Sequence, residues 1–119
     1  MNQNNIYAMI GMAMKAGSVV SGEVACESAV KSMKAHLVIV PTDASFNTKK
    51  LFSNKTTFYE IPYVEFGTKD ALGHAIGKDM RSSVAITNEG FAKAIISKME
   101  KIQKDSKDEN CWIKSEYVI

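Results

Sequence analysis

The side chains that most often carry out catalysis or bind metals are few in this chain and stand apart. There are two cysteines, Cys26 and Cys111, and two histidines, His36 and His74. No Cys, Asp or Glu stands at metal-ligand spacing around either histidine. Cys26 falls on the apolar stripe of a predicted helix, where a thiol behaves as a small hydrophobic group. With no Ser/His/Asp order and no glycine-rich nucleotide-binding motif, the sequence predicts no enzyme and no cofactor or metal.

The chemistry that the sequence does offer is binding by backbone amides. The stretch KAGSVVSGEVACESAVKS, residues 15–32, places a glycine-flanked turn directly before a helix. The first N–H groups of a helix, here those of Gly22, Glu23 and Val24, lack intrahelical partners and attract a phosphate or a base-edge acceptor. Every helix has such an end, and the Glu23 carboxylate would repel a phosphate. The feature alone therefore does not define a site.

Composition and charge limit the class of protein to which such a site could belong. The 119 residues, 45% hydrophobic and 24% charged, fit one globular domain. A net charge of +2 is too small to indicate a nucleic-acid partner from the whole chain, so any RNA contact has to be a local patch. No secretory leader and no apolar run of membrane-spanning length is present, so we expect a cytoplasmic protein without membrane contact.

The elements that must position the amides alternate between helix and strand. Gly17 is expected to stop a first helix, and an extended piece follows at Val19 and Val20. The second helix is expected to begin near Gly22 with Ser21 as its N-cap. Its predicted buried stripe consists of Cys26, Ala29, Val30 and Met33.

The rest of the chain continues the alternation. HLVIVP, IPYVEFG and VAIT read as core strands. Asp43, Ser45 or Asn47 could cap the helix after the first of them, while Thr68 and Asn88 are expected to cap the next two. Gly77 is expected to end the Thr68 helix. This order predicts a three-layer α/β/α sandwich with a small, mixed sheet.

The C-terminal part differs from the domain that precedes it. We place the domain at residues 1–100, followed at 101–119 by a charged linker and an apolar tail, CWIKSEYVI. Such a tail is too apolar to stay free, so it should dock on the domain or on a second copy. Docking on a second copy would make a weak homodimer through the tail, and docking within the chain would leave a monomer.

Four stretches of the chain have the order and spacing of one known family. They read KAGSVVSGEVACESAVKSMKAHLVIV, DASFNTKK, IPYVEFGTKDALGHAIGKD and RSSVAITNEGFAKAI. Over roughly residues 4 to 98 the chain resembles the ribosomal protein L7Ae/L30e superfamily, in particular its bacterial YlxQ-type members. The resemblance implies a non-catalytic protein, ribosome-associated or ribosomal-protein-like, that binds kink-turn RNA, a sharply bent duplex with sheared G·A pairs. It also implies that the second-helix N-terminus enters the RNA groove, while a second loop covers an extruded base.

Carried over to this chain, the resemblance assigns two RNA-facing segments. Gly22 matches the family glycine at the turn, and residues 80–83 match the second loop. In that loop Met80 would cover the extruded base, while Arg81, Ser82 and Ser83 would hold the adjoining sugar and phosphates. Outside these segments, Lys31 and Lys34 could contact phosphates, which position a partner without specifying it.

The first segment departs from the family pattern. Where archaeal members have Gly-x-Asn-Glu-x-x-Lys, this chain replaces the last three named residues by Val24, Ala25 and Ser28. The amide that would read a guanine edge is therefore absent. A different hypothesis follows, in which the chain is a protein-interaction module that kept the fold and lost specific RNA binding, its lysines forming only a solvated face.

Overall fold

The computed structural model describes residues 3–106 and 111–113, with side chains described for residues 4–101. Helices and strands alternate through these residues, as the sequence predicts. The helices are α1 (Gln3–Lys15), α2 (Glu23–Lys31), α3 (Phe46–Tyr59), α4 (Lys69–Ala75) and α5 (Glu89–Ser106). The strands are β1 (Val19–Ser21), β2 (Leu37–Val40), β3 (Tyr63–Phe66), β4 (Val84–Ile86) and β5 (Cys111–Ile113).

The strands form one mixed sheet in the order β1-β4-β2-β3-β5. β2 and β3 are parallel, whereas β4 runs antiparallel to both of its neighbours, β1 and β2. Because β1 and β2 are each antiparallel to β4, they run parallel to one another. The carboxyl ends of β1, β2 and β3 therefore lie at one end of the sheet, which is where α2, α3 and α4 begin.

Helices cover both faces of this sheet, and the side chains of β2 divide between the two faces. Leu37 and Ile39 pack with α1, α4 and α5, while Val38 and Val40 pack with α2 and α3. All four side chains are fully buried, which is why this strand has a continuous apolar run instead of alternation. The predicted three-layer sandwich is confirmed.

Capping side chains fix where most helices begin. Ser45 Oγ accepts from the Thr48 N–H at 3.1 Å, Thr68 Oγ1 accepts from the Ala71 N–H at 3.1 Å, and Asn88 Oδ1 accepts from the Phe91 N–H at 3.0 Å. Each bond satisfies a first-turn amide that has no intrahelical partner. Ser45 is thus the cap among the three predicted alternatives.

Helix α2 differs from its prediction at both ends. Its N-cap is Gly22, and no side chain caps it; Ser21 is the last residue of β1. Its last residue is Lys31, and Met33, expected in the buried stripe, has a φ of 62° and a side chain that is 58% exposed. The Lys34 and Ala35 amides both donate to Ala29 O, so the chain reverses here and the helical spacing does not extend to Met33.

The C-terminal boundary stays a prediction. Helix α5 runs past residue 100 to Ser106, and β5 pairs antiparallel with β3, Val64 lying opposite Ile113. The remainder of the predicted linker and tail, residues 107–110 and 114–119, lies outside the described residues. Within the described part of the chain, no helix is both long and apolar enough to cross a membrane.

Candidate nucleic-acid interface

Sheet register brings the two predicted RNA-facing segments together. In the β1–β4 pair, Ser21 lies opposite Val84. Gly22, which follows β1, therefore lies beside Ser83, which precedes β4. The Gly22 N–H donates to Ser83 O at 3.1 Å. The N-terminus of α2 and the loop between α4 and β4, separated by about 60 residues in sequence, form one continuous surface.

Gly22 sets the direction of helix α2 through its backbone conformation. Its φ of 92° and ψ of 154° lie in a region that is essentially restricted to glycine. A Cβ at this position would meet no atom within 4 Å, so the requirement is conformational and not steric. Because the Gly22 N–H is bonded to Ser83 O, only two of the three predicted amides, those of Glu23 and Val24, are left for a ligand, and no capping side chain of a described residue contacts them.

The outer face of α2 extends from these amides as a shallow groove. The Val24 side chain at its start is 83% exposed. The groove has a volume of about 490 Å³, and its lining residues follow the helical repeat: Val24, Glu27, Ser28, Lys31 and Ser32. This surface is partly apolar at the end where the family has amide and carboxylate side chains.

The lysines near the groove differ in whether they form ion pairs with carboxylates. Glu27 Oε2 lies 3.5 Å from Lys31 Nζ and 3.7 Å from Lys55 Nζ. Lys34 is exposed and forms no ion pair with a described residue. Exposed ion pairs of this kind are weak, so Lys31 can exchange its contact with Glu27 for a phosphate, while Lys34 has no ion pair with a described residue to give up.

The α4–β4 loop is held against α4 by close backbone packing. The Lys78 N–H donates to Gly73 O at 2.8 Å, and the Arg81 N–H donates to Lys69 O at 3.1 Å. A Cβ on Gly73 would overlap the Asp79 carbonyl and lie 2.9 Å from Met80 Cα. The absence of a side chain at Gly73 therefore lets the loop fold back over the helix.

This packing presents Met80 outward and turns Arg81 toward β1. The Met80 side chain is 57% exposed, as a residue that covers a ligand base would have to be. Arg81 Nε donates to Ser21 Oγ at 3.1 Å, and its Nη1 donates to Met80 O at 3.0 Å. The Ser21 hydroxyl, predicted to cap α2, instead ties the loop to β1, and no local pattern could have indicated a bond across this separation.

The two serines of the loop have different environments. Ser82 is partly exposed, whereas the Ser83 side chain is fully buried. The predicted RNA contact therefore does not extend to the Ser83 hydroxyl, and this residue supports the site through its carbonyl bond to Gly22. Beside it, burial raises the pKa of the Cys26 thiol to about 11.

A thiol with a raised pKa is a poor nucleophile and a poor metal ligand. Cys26 is fully buried, and its Sγ lies 3.6 Å from Val20 O, to which it donates. Among the described residues, no group of three or more His, Cys, Asp or Glu side chains is placed to hold a metal ion. The groups that this surface presents to a ligand are backbone amides, a thioether and cations.

Fold and surface together define a small α/β/α protein that presents a helix N-terminus beside a short loop at one end of its sheet. The profile of the ribosomal protein L7Ae/L30e/S12e/Gadd45 family matches residues 4–96. The chain therefore belongs to this family, as its sequence resemblance indicated.

Individual relatives support the assignment along most of the chain. The RNA-binding protein YlxQ of Bacillus subtilis is 37% identical over 94 residues, covering 79% of this chain and 94% of the relative. The YlxQ protein of Enterococcus faecium is 37% identical over 92 residues, covering 77% and 88%. These two relatives confirm the similarity to YlxQ-type members.

Solved structures have the same fold. A Bacillus halodurans protein of unknown function superposes with a TM-score of 0.76 at 32% identity, covering 77% of this chain and 93% of that one. The Giardia lamblia 15.5kD RNA binding protein superposes with a TM-score of 0.68 at 22% identity, covering 81% and 85%. The second likeness is one of fold alone.

Proposed function

We propose that this chain is a non-catalytic RNA-binding protein that recognises structured RNA of the kink-turn type. The observation that carries the proposal is the direct connection of the α2 N-terminus to the α4–β4 loop through Gly22, Ser83, Arg81 and Ser21. Its YlxQ relatives are named RNA-binding proteins, which supports the same class of partner.

Each part of the surface has a defined task in this proposal. The Glu23 and Val24 amides meet acceptors on the RNA, helped by the positive end of the helix dipole. Met80 covers an extruded base, while Arg81 and Ser82 lie at the adjoining sugar and phosphate. Lys31 and Lys34 supply salt-dependent phosphate contacts.

Recognition would rest mainly on the shape of the RNA. The deep major groove of duplex RNA offers side chains little sequence to read, and the base-reading side chains of the family pattern are absent at Val24, Ala25 and Ser28. A bent RNA that brings phosphates and base edges to backbone amides would still be distinguished from a straight duplex. We propose that the protein acts in the cytoplasm, beside the ribosome or an RNA-processing particle.

One observation favours the alternative of a protein-interaction module. Val24 is 83% exposed at the position where an RNA-reading group would be expected, and an exposed apolar side chain suits a protein partner better than a phosphate backbone. This alternative predicts no preference for bent over straight RNA.

A titration of the nucleic-acid-free protein tests the proposal. The two ligands are a kink-turn RNA and a control in which the G·A pairs are changed to Watson–Crick pairs, each at two salt concentrations. We expect the kink turn to bind at least tenfold more tightly, with affinity falling as salt rises. Equal weak binding to both RNAs, or none, would favour the protein-interaction module.

Two methionines provide a matched pair of variants for this titration. Met80 is 57% exposed in the loop, and Met12 is 55% exposed on α1, a helix that contributes no residue to the proposed contact surface. We expect Met80→Ala to weaken kink-turn binding and Met12→Ala to leave it unchanged. Equal affinities for the two variants would remove Met80 from the site.

A further inference from the structure

Helix α3 carries an exposed row that neither the core nor the proposed kink-turn site uses. Its members are spaced four residues apart and are all exposed: Phe46, Lys50, Asn54 and Phe58. The two phenylalanine side chains are 76% and 78% exposed, respectively. Phenylalanine in this state leaves most of an aromatic ring in water, which is uncommon for a monomeric surface.

Packing in the core does not account for the phenylalanines at positions 46 and 58. Helix α3 is anchored by Phe52, which is fully buried against α2 and β2 on the opposite side of the helix. The Phe58 and Tyr59 rings meet in a T-shaped arrangement with 4.9 Å between centroids, and Phe58 still remains exposed. An exposed aromatic ring therefore stands at each end of the helix.

The charges of α3 are all of one sign. The helix contains Lys49, Lys50 and Lys55 and no Asp or Glu. Lys49 lies 3.8 Å from Glu65 and Lys55 lies 3.7 Å from Glu27, so two of these lysines face carboxylates of neighbouring elements. Lys50, on the exposed row between the two rings, pairs with no carboxylate among the described residues.

Topology places the start of this row at the same end and on the same face of the sheet as the N-terminus of α2. Because β1 and β2 run parallel, α2 and α3 begin at the same end of the sheet and cover the same face. Phe46, the first residue of α3, therefore lies at the same end as Gly22. Phe58 lies about 18 Å further along the helix axis, at 1.5 Å per residue.

We propose that the α3 row binds single-stranded RNA that leaves the structured element bound at α2. Phe46 and Phe58 each stack on a base, and Lys50 contacts the phosphates between them. Aromatic rings interleaved with cations are the means by which proteins hold single strands without reading sequence. Phenylalanine is enriched at protein interfaces as well, but lysine is depleted there, so Lys50, which lies between the two rings and forms no ion pair with a described residue, favours RNA over a protein partner. This proposal rests on the proposed function, and it adds the exposed row of α3 to the surface that contacts RNA.

The test compares three RNA ligands on the wild-type chain and three variants. The ligands are a kink-turn RNA with blunt ends, the same RNA with an eight-uridine single-stranded flank, and oligouridine alone. The variants are Phe46→Ala, Phe58→Ala and the matched control Met12→Ala, whose side chain is 55% exposed on the other face of the sheet. Thermal unfolding of each variant checks that the fold is intact.

We expect the flank to tighten binding by the wild-type chain roughly tenfold, and each phenylalanine variant to lose roughly tenfold on the flanked RNA. Affinity for the blunt kink turn should be unchanged in the same variants. The blunt RNA thus reports on the proposed function and the flank reports on the α3 row.

Three outcomes would overturn the inference. The first is the absence of both a flank effect and oligouridine binding in the wild type. The second is an equal loss on blunt and flanked RNA. The third is a shift from dimer to monomer in Phe46→Ala or Phe58→Ala on size exclusion with light scattering, which would make a second copy the occupant of the row.

Discussion

At the scale of single residues, Arg81 can both hold the α4–β4 loop in place and offer a positive charge to a phosphate. Its sequence context does not distinguish these two roles. Its Nε and Nη1 atoms donate to Ser21 Oγ and Met80 O at 3.1 and 3.0 Å, respectively. Those bonds fix the loop beside the start of α2, while the guanidinium keeps its positive charge at the surface. A side chain that is only partly buried can serve both as a tether and as a phosphate contact.

We expect Arg81→Ala to weaken kink-turn binding about tenfold and to reduce the slope of log K against log salt by about 0.7 to 0.9. The loss of slope follows from the loss of one phosphate contact. Fluorescence titrations at four or more salt concentrations give both quantities.

Ser21→Ala is the matched control, since it breaks the tether and leaves the charge. It should weaken binding by a smaller factor without changing the slope. If Arg81→Ala also leaves the slope unchanged, Arg81 acts only by holding the loop.

At the scale of elements, the short helix α4 decides where the second loop lies. The chain leaves α4 at Ala75, and Gly77 with a φ of 73° turns it back over the helix it has just left. That return path passes directly over Gly73. The exposed position of Met80 is therefore a consequence of helix-to-loop packing.

We expect Gly73→Ala to lower the free energy of unfolding by about 1 to 3 kcal/mol, because its Cβ overlaps the Asp79 carbonyl. The displaced loop should also bind kink-turn RNA more weakly. Denaturant unfolding and the RNA titration measure the two effects.

Gly90→Ala serves as the control, since its Cβ would meet only the Asn88 side chain, at 3.2 Å. It should change both quantities little. A Gly73→Ala protein with unaltered RNA affinity would show that loop position does not limit binding.

At the scale of the whole molecule, the C-terminal strand determines which sheet edge is open. β5 pairs with β3, Phe66 lying opposite Cys111 and Val64 opposite Ile113. An unpaired edge strand is a template for association with another chain. Pairing within the chain therefore favours a monomer over a dimer formed through the tail.

We predict that the full chain is monomeric and that truncation after Asn110 destabilises it by about 2 kcal/mol, through the loss of a few backbone hydrogen bonds. The truncated chain should also self-associate through the exposed β3 edge. Size exclusion with light scattering and thermal unfolding test both points. A full chain that is dimeric and a truncated chain that is monomeric would instead show that the tail joins two copies.

The sequence by itself determined the order of elements from α1 to α5, the fold class and the family. Helical spacing, continuous apolar strands and the capping residues Ser45, Thr68 and Asn88 are local signals, because their physical causes lie within a few residues of each other. The prediction that Met33 lies in the buried stripe of α2 was wrong, because a chain reversal ends the helix two residues earlier, at Lys31.

Only the tertiary structure decided how the candidate site is assembled. The bond from Arg81 to Ser21, the engagement of the Gly22 amide by Ser83 and the burial of the Ser83 hydroxyl all depend on strand register. Register places residues about 60 positions apart side by side, and no local pattern encodes it. The parallel direction of β1 and β2, which no local pattern encodes either, gives α2 and α3 a common end of the sheet, on which the proposed α3 footprint depends.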